Sequence, residues 1–446
     1  MATSVELQTL GSQLTGELHT GELMRKVYST DASIYQELPL AVAIPANESD
    51  LRVLIKFAGQ HQVGLIPRTA GTSLAGQVVG SGIVVDVSRS FTSISEINSV
   101  EGWVRCQPGV IRNELNMALE EHGLFFGPET STQNRAMLGG MLGNNSCGSN
   151  SVKYGSVRDH IVQVTALLSD GSTAVFTALS AEEFAAKCDG PDSLETRIYR
   201  DVRELLANPD DRSEIVAEFP KPSIPRRNTG YALDLLMDAT CFDESSSKPF
   251  HFGKLIAGSE GTLCIVTEMT LHCDRLPPAE SGLLCAHFET VHETLLATQI
   301  AVQFDCFACE LIDKYILDCT KRSLEHRENR FFLQGDPGAV LVIEIRGESR
   351  KQVLAVTDQI EASMRDSGLG NAFPVLFGDD AARVWDLRMA GLGLLSNMPG
   401  DHKPTSVVED TAVDVSDLPD YIAEFDRQLD EQLGLECVHY AHAGSG

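Results

Sequence analysis

The sequence predicts an α+β protein of two or three compact units, and three observations carry that prediction. Short apolar strands alternate with amphipathic helices from about Ala41 onward. Glycine-rich turns persist to about Cys273, and Pro277-Pro278 then breaks the chain before a second alternation of strands and helices. At 446 residues the chain is also too long for one simple core.

In order, residues 1–37 read as a polar, helical lead-in interrupted at Gly16 and Gly21. Residues 41–45 form a short strand, 49–60 an amphipathic helix capped by Ser49 or Asp50, and 63–67 a second strand, together a β-α-β opening. A buried strand at 82–87, an alternating strand at 103–107 and a helix at 111–122 follow. Beyond the diproline, strands at 282–288, 308–312 and 339–346 alternate with helices at 291–303 and 351–368, an order that fits a sheet with helices on one face. Residues 407–413, a helical stretch over 418–433 and an apolar strand near Cys437-Val438 complete the sequence.

Composition excludes several function classes. With 43% apolar and 22% charged residues, no window approaches the roughly 18 uninterrupted apolar residues of a membrane helix. The first residues lack the basic and apolar regions of a secretory signal, so a cytoplasmic home is expected, with peripheral attachment to the inner membrane compatible with it. A net charge of −28 repels phosphate backbones, which excludes nucleic acid as a partner. Eleven scattered cysteines suit a reducing compartment. The one C-x-x-C, Cys306 to Cys309, falls in an apolar-periodic run over 301–319 and reads as buried helix cysteines rather than a zinc or redox site.

Three glycine-rich segments carry the chemistry. The loop from Pro67 to Gln77 follows a strand and offers bare backbone N–H groups, hydroxyls and the Arg68 guanidinium, the donors a pyrophosphate needs. It nearly spells a Walker A loop, but Gln77 and Val78 stand where Lys and Ser/Thr would hold terminal phosphates, and no G-x-G-x-x-G supports a Rossmann site. The second segment runs from Gly127-Pro128-Glu129-Thr130 through Leu138-Gly139-Gly140 to Ser149, and its small and amide-bearing residues suit backbone packed against a flat or phosphate-bearing ligand. The third, Gly258-Ser259-Glu260-Gly261-Thr262-Leu263, is a turn entering a strand.

In order, these segments resemble the FAD-linked oxidase superfamily, whose members share the vanillyl-alcohol-oxidase (PCMH) type of flavin domain, and within it the D-lactate, glycolate and D-2-hydroxyglutarate dehydrogenase branch. The stretch from Phe125 to Gly155 is similar to long bacterial proteins that carry an additional iron–sulfur region. Val152-Lys153-Tyr154-Gly155 and Arg227-Asn228-Thr229-Gly230-Tyr231 match two further landmarks. The resemblance implies cofactor contacts from Pro67, Arg68, Thr69, Ala70, Gly71, Thr72, Ser73, Gly76 and Gln77 in the first segment. In the second it implies Pro128, Glu129, Thr130, Gly139, Gly140, Asn144, Asn145, Ser146, Gly148, Ser149, Tyr154 and Gly155. In the third it implies Gly258, Glu260, Gly261 and Ile265. Thr72 stands where some members tether FAD through a His, so noncovalent FAD is expected. The implied organisation is a two-subdomain FAD-binding domain over 38–276, a smaller α+β, ferredoxin-like cap over 277–420, and the start of a catalytic metal segment over 421–446.

Oxidation of a 2-hydroxy acid needs a cation for the carboxylate, an acceptor for the hydroxyl proton and a flavin to take the hydride. Arg388, in Trp385-Asp386-Leu387-Arg388, resembles the family's carboxylate-binding Arg, and Lys403 matches a second substrate cation. His442 matches the first ligand of the motif H-x-G-x-G-x-x-H, which holds a divalent metal (Zn, Mn or Fe), and His439 reads as strand packing. The sequence stops inside that motif, so this stretch alone is expected to bind metal poorly and to be inactive. The implied partners are a small D-2-hydroxy acid and an electron acceptor, either a quinone, a cytochrome or the iron–sulfur region; a homodimer is compatible. The alternatives are a sugar or aldonolactone oxidase on the same scaffold, which needs no metal, or a cofactor-binding electron-transfer subunit.

Overall fold

The computed structural model describes residues 2–227, 230–401, 403–406, 408–409 and 411–446. Among the described residues three larger sheets organise the chain, beside a two-stranded pair of Leu124–Phe125 with Asp274–Arg275. The first orders its strands Glu17–His19, Ala41–Ile44, Ile83–Asp86, Leu65–Arg68. Ala41–Ile44 and Leu65–Arg68 both run parallel to Ile83–Asp86, whereas Glu17–His19 is antiparallel. Ala41–Ile44 and Ile83–Asp86 are buried on both faces, which is why they read as unbroken apolar runs.

The helix Glu48–His61 lays Leu51, Leu54 and Ile55 on this sheet. Its cap is Asn47, whose side chain accepts the Asp50 N–H, and not Ser49 or Asp50. Asp50 does different work: its buried carboxylate accepts the backbone N–H groups of Thr15, Gly16 and Ala46. The lead-in is thereby tied to the sheet and supplies one of its strands.

The second sheet is antiparallel, ordered Ile94–Asn98, Trp103–Cys106, Ile265–His272, Ile161–Leu167, Thr173–Thr177. The Arg112–Glu120 helix buries Leu115 and Leu119 in the core beneath it.

The third sheet, also antiparallel, is ordered Val375–Phe377, Glu280–Phe288, Ala339–Gly347, Ala308–Asp313, Tyr440–Ala441. Helices cover both of its faces, not one. Val291–Ala301 and Arg350–Asp366 pack on Leu284, Leu311 and Ile343, while Lys314–Arg322 and Gly378–Met389 pack on Leu283, Ile312 and Val340. The near-continuous burial of Ala339–Gly347 is the physical reason, since a strand apolar at every position needs cover on each side.

Two smaller expectations also change. Cys309 lies in a strand and Cys306 in the turn before it, so neither is helical, although both are buried and free. The final strand is Tyr440–Ala441 rather than Cys437-Val438, following the Leu418–Gln428 helix and a π turn at Leu429–Leu433. Val407 and Asp410 lie outside the described residues, so the 407–413 stretch is only partly described. Among the described residues no helix is long and apolar enough to cross a membrane.

Candidate functional site

A cavity of about 1510 Å³ opens where the first two sheets meet the third. All three glycine-rich segments reach it.

The Leu65–Arg68 strand delivers the first loop, which runs irregularly back to Ile83. Arg68 turns under this loop, donates to the Thr30 carbonyl at 2.8 Å and lies over the Tyr28 ring. Gly71 lies on top of it with φ of +65°, where a Cβ would come within 2.4 Å of the guanidinium. Arg68 therefore braces the loop as well as lining the cavity.

The short helix Leu138–Asn144 brings the second segment against the first. A Cβ on Gly140 would sit 2.7 Å from the Thr69 hydroxyl, so only glycine permits this approach. Gln77 donates to Asn144 at 2.7 Å, and Asn144 donates to Ser146 at 3.0 Å. The third turn closes the set, with Gly258 N–H donating to the Leu142 carbonyl at 3.1 Å and Glu260 N–H to the Gly143 carbonyl at 2.9 Å. The three turns form one interlocked, amide-rich wall.

Within that wall Thr69, Ala70, Thr72, Ser73, Thr130, Gly139, Gly148, Gly261 and Ile265 also line the cavity, as do Pro67 and Ser149. Glu129 lines it too, nearly buried, accepting from the Ser149 hydroxyl with Arg112 3.9 Å away. Burial pushes its carboxyl above the usual range despite those two partners.

Six expected contacts stand behind the wall instead. Gly76 makes a turn against the Tyr35 ring, and the Pro128 carbonyl accepts from Arg112. Asn145, left-handed at φ of 54°, accepts the Arg158 N–H, and Gly258 pairs with Leu142. Tyr154 packs edge-on against Phe125 and Phe307, and Gly155 turns beside Asp159. Arg158 ties this layer together, donating to the Lys254 and Ala257 carbonyls; burial lowers its guanidinium to about 10. Asn228 and Thr229 of the expected landmark lie outside the described residues.

The third sheet closes the cavity with a polar cluster that sequence reasoning missed. Glu310 is 1% exposed in the middle of the Ala308–Asp313 strand. Its carboxylate takes a hydrogen bond from Arg388 Nη2 at 2.6 Å and lies 2.8 Å from His442 Nδ1. Burial pushes the carboxyl up, but the opposing charges of His442 and Arg388 outweigh it and hold it below the usual range. Arg388 is itself buried, stacked 3.5 Å from the centre of the Tyr440 ring, and its Nε has no hydrogen-bond partner among the described residues. The guanidinium group as a whole lines the cavity, where a cation suits a carboxylate arriving from outside. Lys403 also lines the cavity; it is exposed, with Nζ donating to the Met398 carbonyl. His402 beside it lies outside the described residues. Glu344 and Arg346, paired at 2.7 Å, complete this end. One signal was available: Glu310 and Glu344 interrupt the otherwise apolar runs from Ala308 to Ile312 and from Ala339 to Ile345.

His442 meets Glu310, but among the described residues no third His, Cys or carboxylate joins them in a chelating group. The group that does form is Asp426, Cys437 and His439. His439 is thus paired with Asp426 at 2.9 Å and is not a strand-packing residue.

Residues 39–177 match the model for an FAD binding domain, and residues 277–446 match the C-terminal domain of FAD linked oxidases. The chain is 32% identical over 99% of its length to a D-2-hydroxyglutarate dehydrogenase of Escherichia coli, covering 43% of that protein. It is 24% identical over 99% of its length to glycolate oxidase subunit GlcD of Bacillus subtilis, covering 78% of it. A mitochondrial cytochrome-dependent D-lactate dehydrogenase of Kluyveromyces lactis is 24% identical over 92% of the chain and is covered to 60%. The chain thus spans less than half the length of the D-2-hydroxyglutarate dehydrogenases it matches. Among solved structures, an alkyldihydroxyacetonephosphate synthase superposes with a TM-score of 0.57 at 16% identity, covering 89% of this chain and 66% of that one, a likeness of fold.

Proposed function

Because the chain belongs to the FAD-linked oxidase superfamily, we propose that its cavity holds FAD noncovalently and forms the flavin centre of a dehydrogenase for a small D-2-hydroxy acid. The observation that carries this reading is the cavity itself, with an interlocked wall of glycine-bared amides at one end and an incompletely paired buried guanidinium at the other. FAD fits on three grounds. The cavity exceeds the roughly 300–1,000 Å³ usual for small ligands. A Cβ at Gly140 would close the cradle. The loop over 68–77 contains no His, Cys or Tyr to form a covalent link. FAD would lie across 67–77, 129–149 and 258–265, within a flavin domain over 38–276 capped by 277–420.

When bound, FAD supplies a hydride acceptor. Arg388 orients the substrate carboxylate through its guanidinium at the cavity wall, and Lys403 adds a second positive charge there, which favours a dicarboxylate such as 2-hydroxyglutarate. With Nδ1 held by Glu310, His442 presents Nε2 to take the hydroxyl proton. Among the described residues no third ligand joins His442 and Glu310, so they do not by themselves make up a site for the divalent metal implied by the resemblance, and no step here is routed through it. Electrons pass to an external acceptor such as a quinone or cytochrome. The scattered placement of the cysteines in the sequence supports a cytoplasmic, reducing setting.

Titrating D-2-hydroxyglutarate, D-lactate and glycolate anaerobically into the FAD-loaded protein should shift the flavin absorption saturably with at least one acid. Arg388→Ala should weaken that response roughly 30-fold or more, the expected loss for a buried charge partner. Absorption unmoved by all three acids while FAD stays bound would contradict the reading.

A further inference from the structure

The described residues hold one group with mixed metal-ligating chemistry, and the catalytic reading does not use it. Asp426 lies near the end of the Leu418–Gln428 helix. Cys437 and His439 follow the π turn, two residues apart in the segment leading into Tyr440–Ala441. A spacing of two in extended chain projects side chains to one side. One ligand atom from each of the three residues lies within 4.8 Å of the other two, and all three are half-buried. Cys437 and His439 also line the cavity.

The His439–Asp426 contact alone is an ordinary ion pair. Cys437 changes its character, because imidazole nitrogen, sulfur and carboxylate oxygen together make the donor set of a borderline-soft, four-coordinate cation. Bonds of about 2.0–2.3 Å put neighbouring ligands roughly 3.5 Å apart, so about 1 Å of closure suffices. A carboxylate in the next layer already orients the group, since Asp313 accepts the His439 backbone N–H at 2.7 Å. Without a cation the Cys437 thiol is pushed up to about 11, by burial first and then by the charges of Asp426 and Asp313. Those same negative charges draw a divalent cation in.

We propose that Asp426, Cys437 and His439 bind one zinc-like divalent cation, with a fourth position open to the cavity, and so clasp the last helix to the segment that carries His442. This site is distinct from any metal held through His442.

Co²⁺ titrated into the reduced 446-residue protein should give a thiolate-to-cobalt charge-transfer band at one equivalent, erased by Zn²⁺. Cys437→Ser and Cys437→Ala should abolish the band, and His439→Gln should weaken binding about tenfold or more. His442→Gln should leave the band unchanged. In the unmutated protein, Zn²⁺ should slow alkylation of Cys437 about tenfold while sparing Cys319, which needs no variant to fold. The proposal is overturned by absence of the band, by its survival in both Cys437 variants, by its loss in His442→Gln, or by Cys437 alkylation indifferent to Zn²⁺.

Discussion

Glu310 governs the polar end of the cavity, because one buried carboxylate neutralises Arg388 and orients His442. Glu310→Gln leaves the buried guanidinium without its counter-charge, and breaking such a pair costs about 3–5 kcal/mol. The pH dependence has a definite sign. The folded-state pKa of Glu310 is lowered, so its contribution is present above the ordinary carboxylate value and is lost as pH falls through the lowered one. Chemical denaturation of both proteins should show a large gap near neutral pH that closes toward acid. Glu129 behaves oppositely. Burial raises its carboxyl, so its contribution is full below the ordinary value and disappears as pH rises through the raised one. Glu129→Gln should therefore gain stability relative to the parent as pH rises above the ordinary carboxylate value, and denaturation midpoints measured from acid to neutral pH check it.

Elements meet at a few polar ties, and those ties were the hardest features to read. Asp50 illustrates this: Asn47, Ser49 and Asp50 are all cap formers, and sequence alone does not show that the chain through Pro45 gives Asn47 the cap and leaves Asp50 for three backbone amides of other elements. Asp50→Ala should cost about 2–5 kcal/mol by stranding those amides, a loss a surface aspartate would not show in a denaturant titration. The strands themselves were legible because burial on both faces writes an unbroken apolar run, as in Ala41–Ile44. The same rule, applied to Ala339–Gly347, would have announced helices on both faces. The glycine-rich turns were legible through their density of Gly and Asn. Which members face the cavity was not, since Asn145 and Gly258 serve the wall's own hydrogen bonds. Gly148 shows the cost of altering such a turn. Its φ is +78°, and a Cβ would lie 2.4 Å from the Glu129 carbonyl. Gly148→Ala should destabilise the protein by about 1–3 kcal/mol, read as a lowered Tm.

For the molecule as a whole, the cavity is the point where three sheets have a common tenant. Its lining comes from the first loop, the second segment, the third turn and the cap strands, so a ligand there restrains all of them together. Binding at a hundred times the dissociation constant would add about 2.7 kcal/mol to stability. Titrating FAD into the flavin-free protein while following quenching of flavin fluorescence is the most direct test. One FAD should bind per chain and raise the Tm, and both effects should be lost in Gly140→Val, whose side chain would collide with Thr69. No binding by the folded protein, or binding of equal strength in Gly140→Val, would contradict this flavin site.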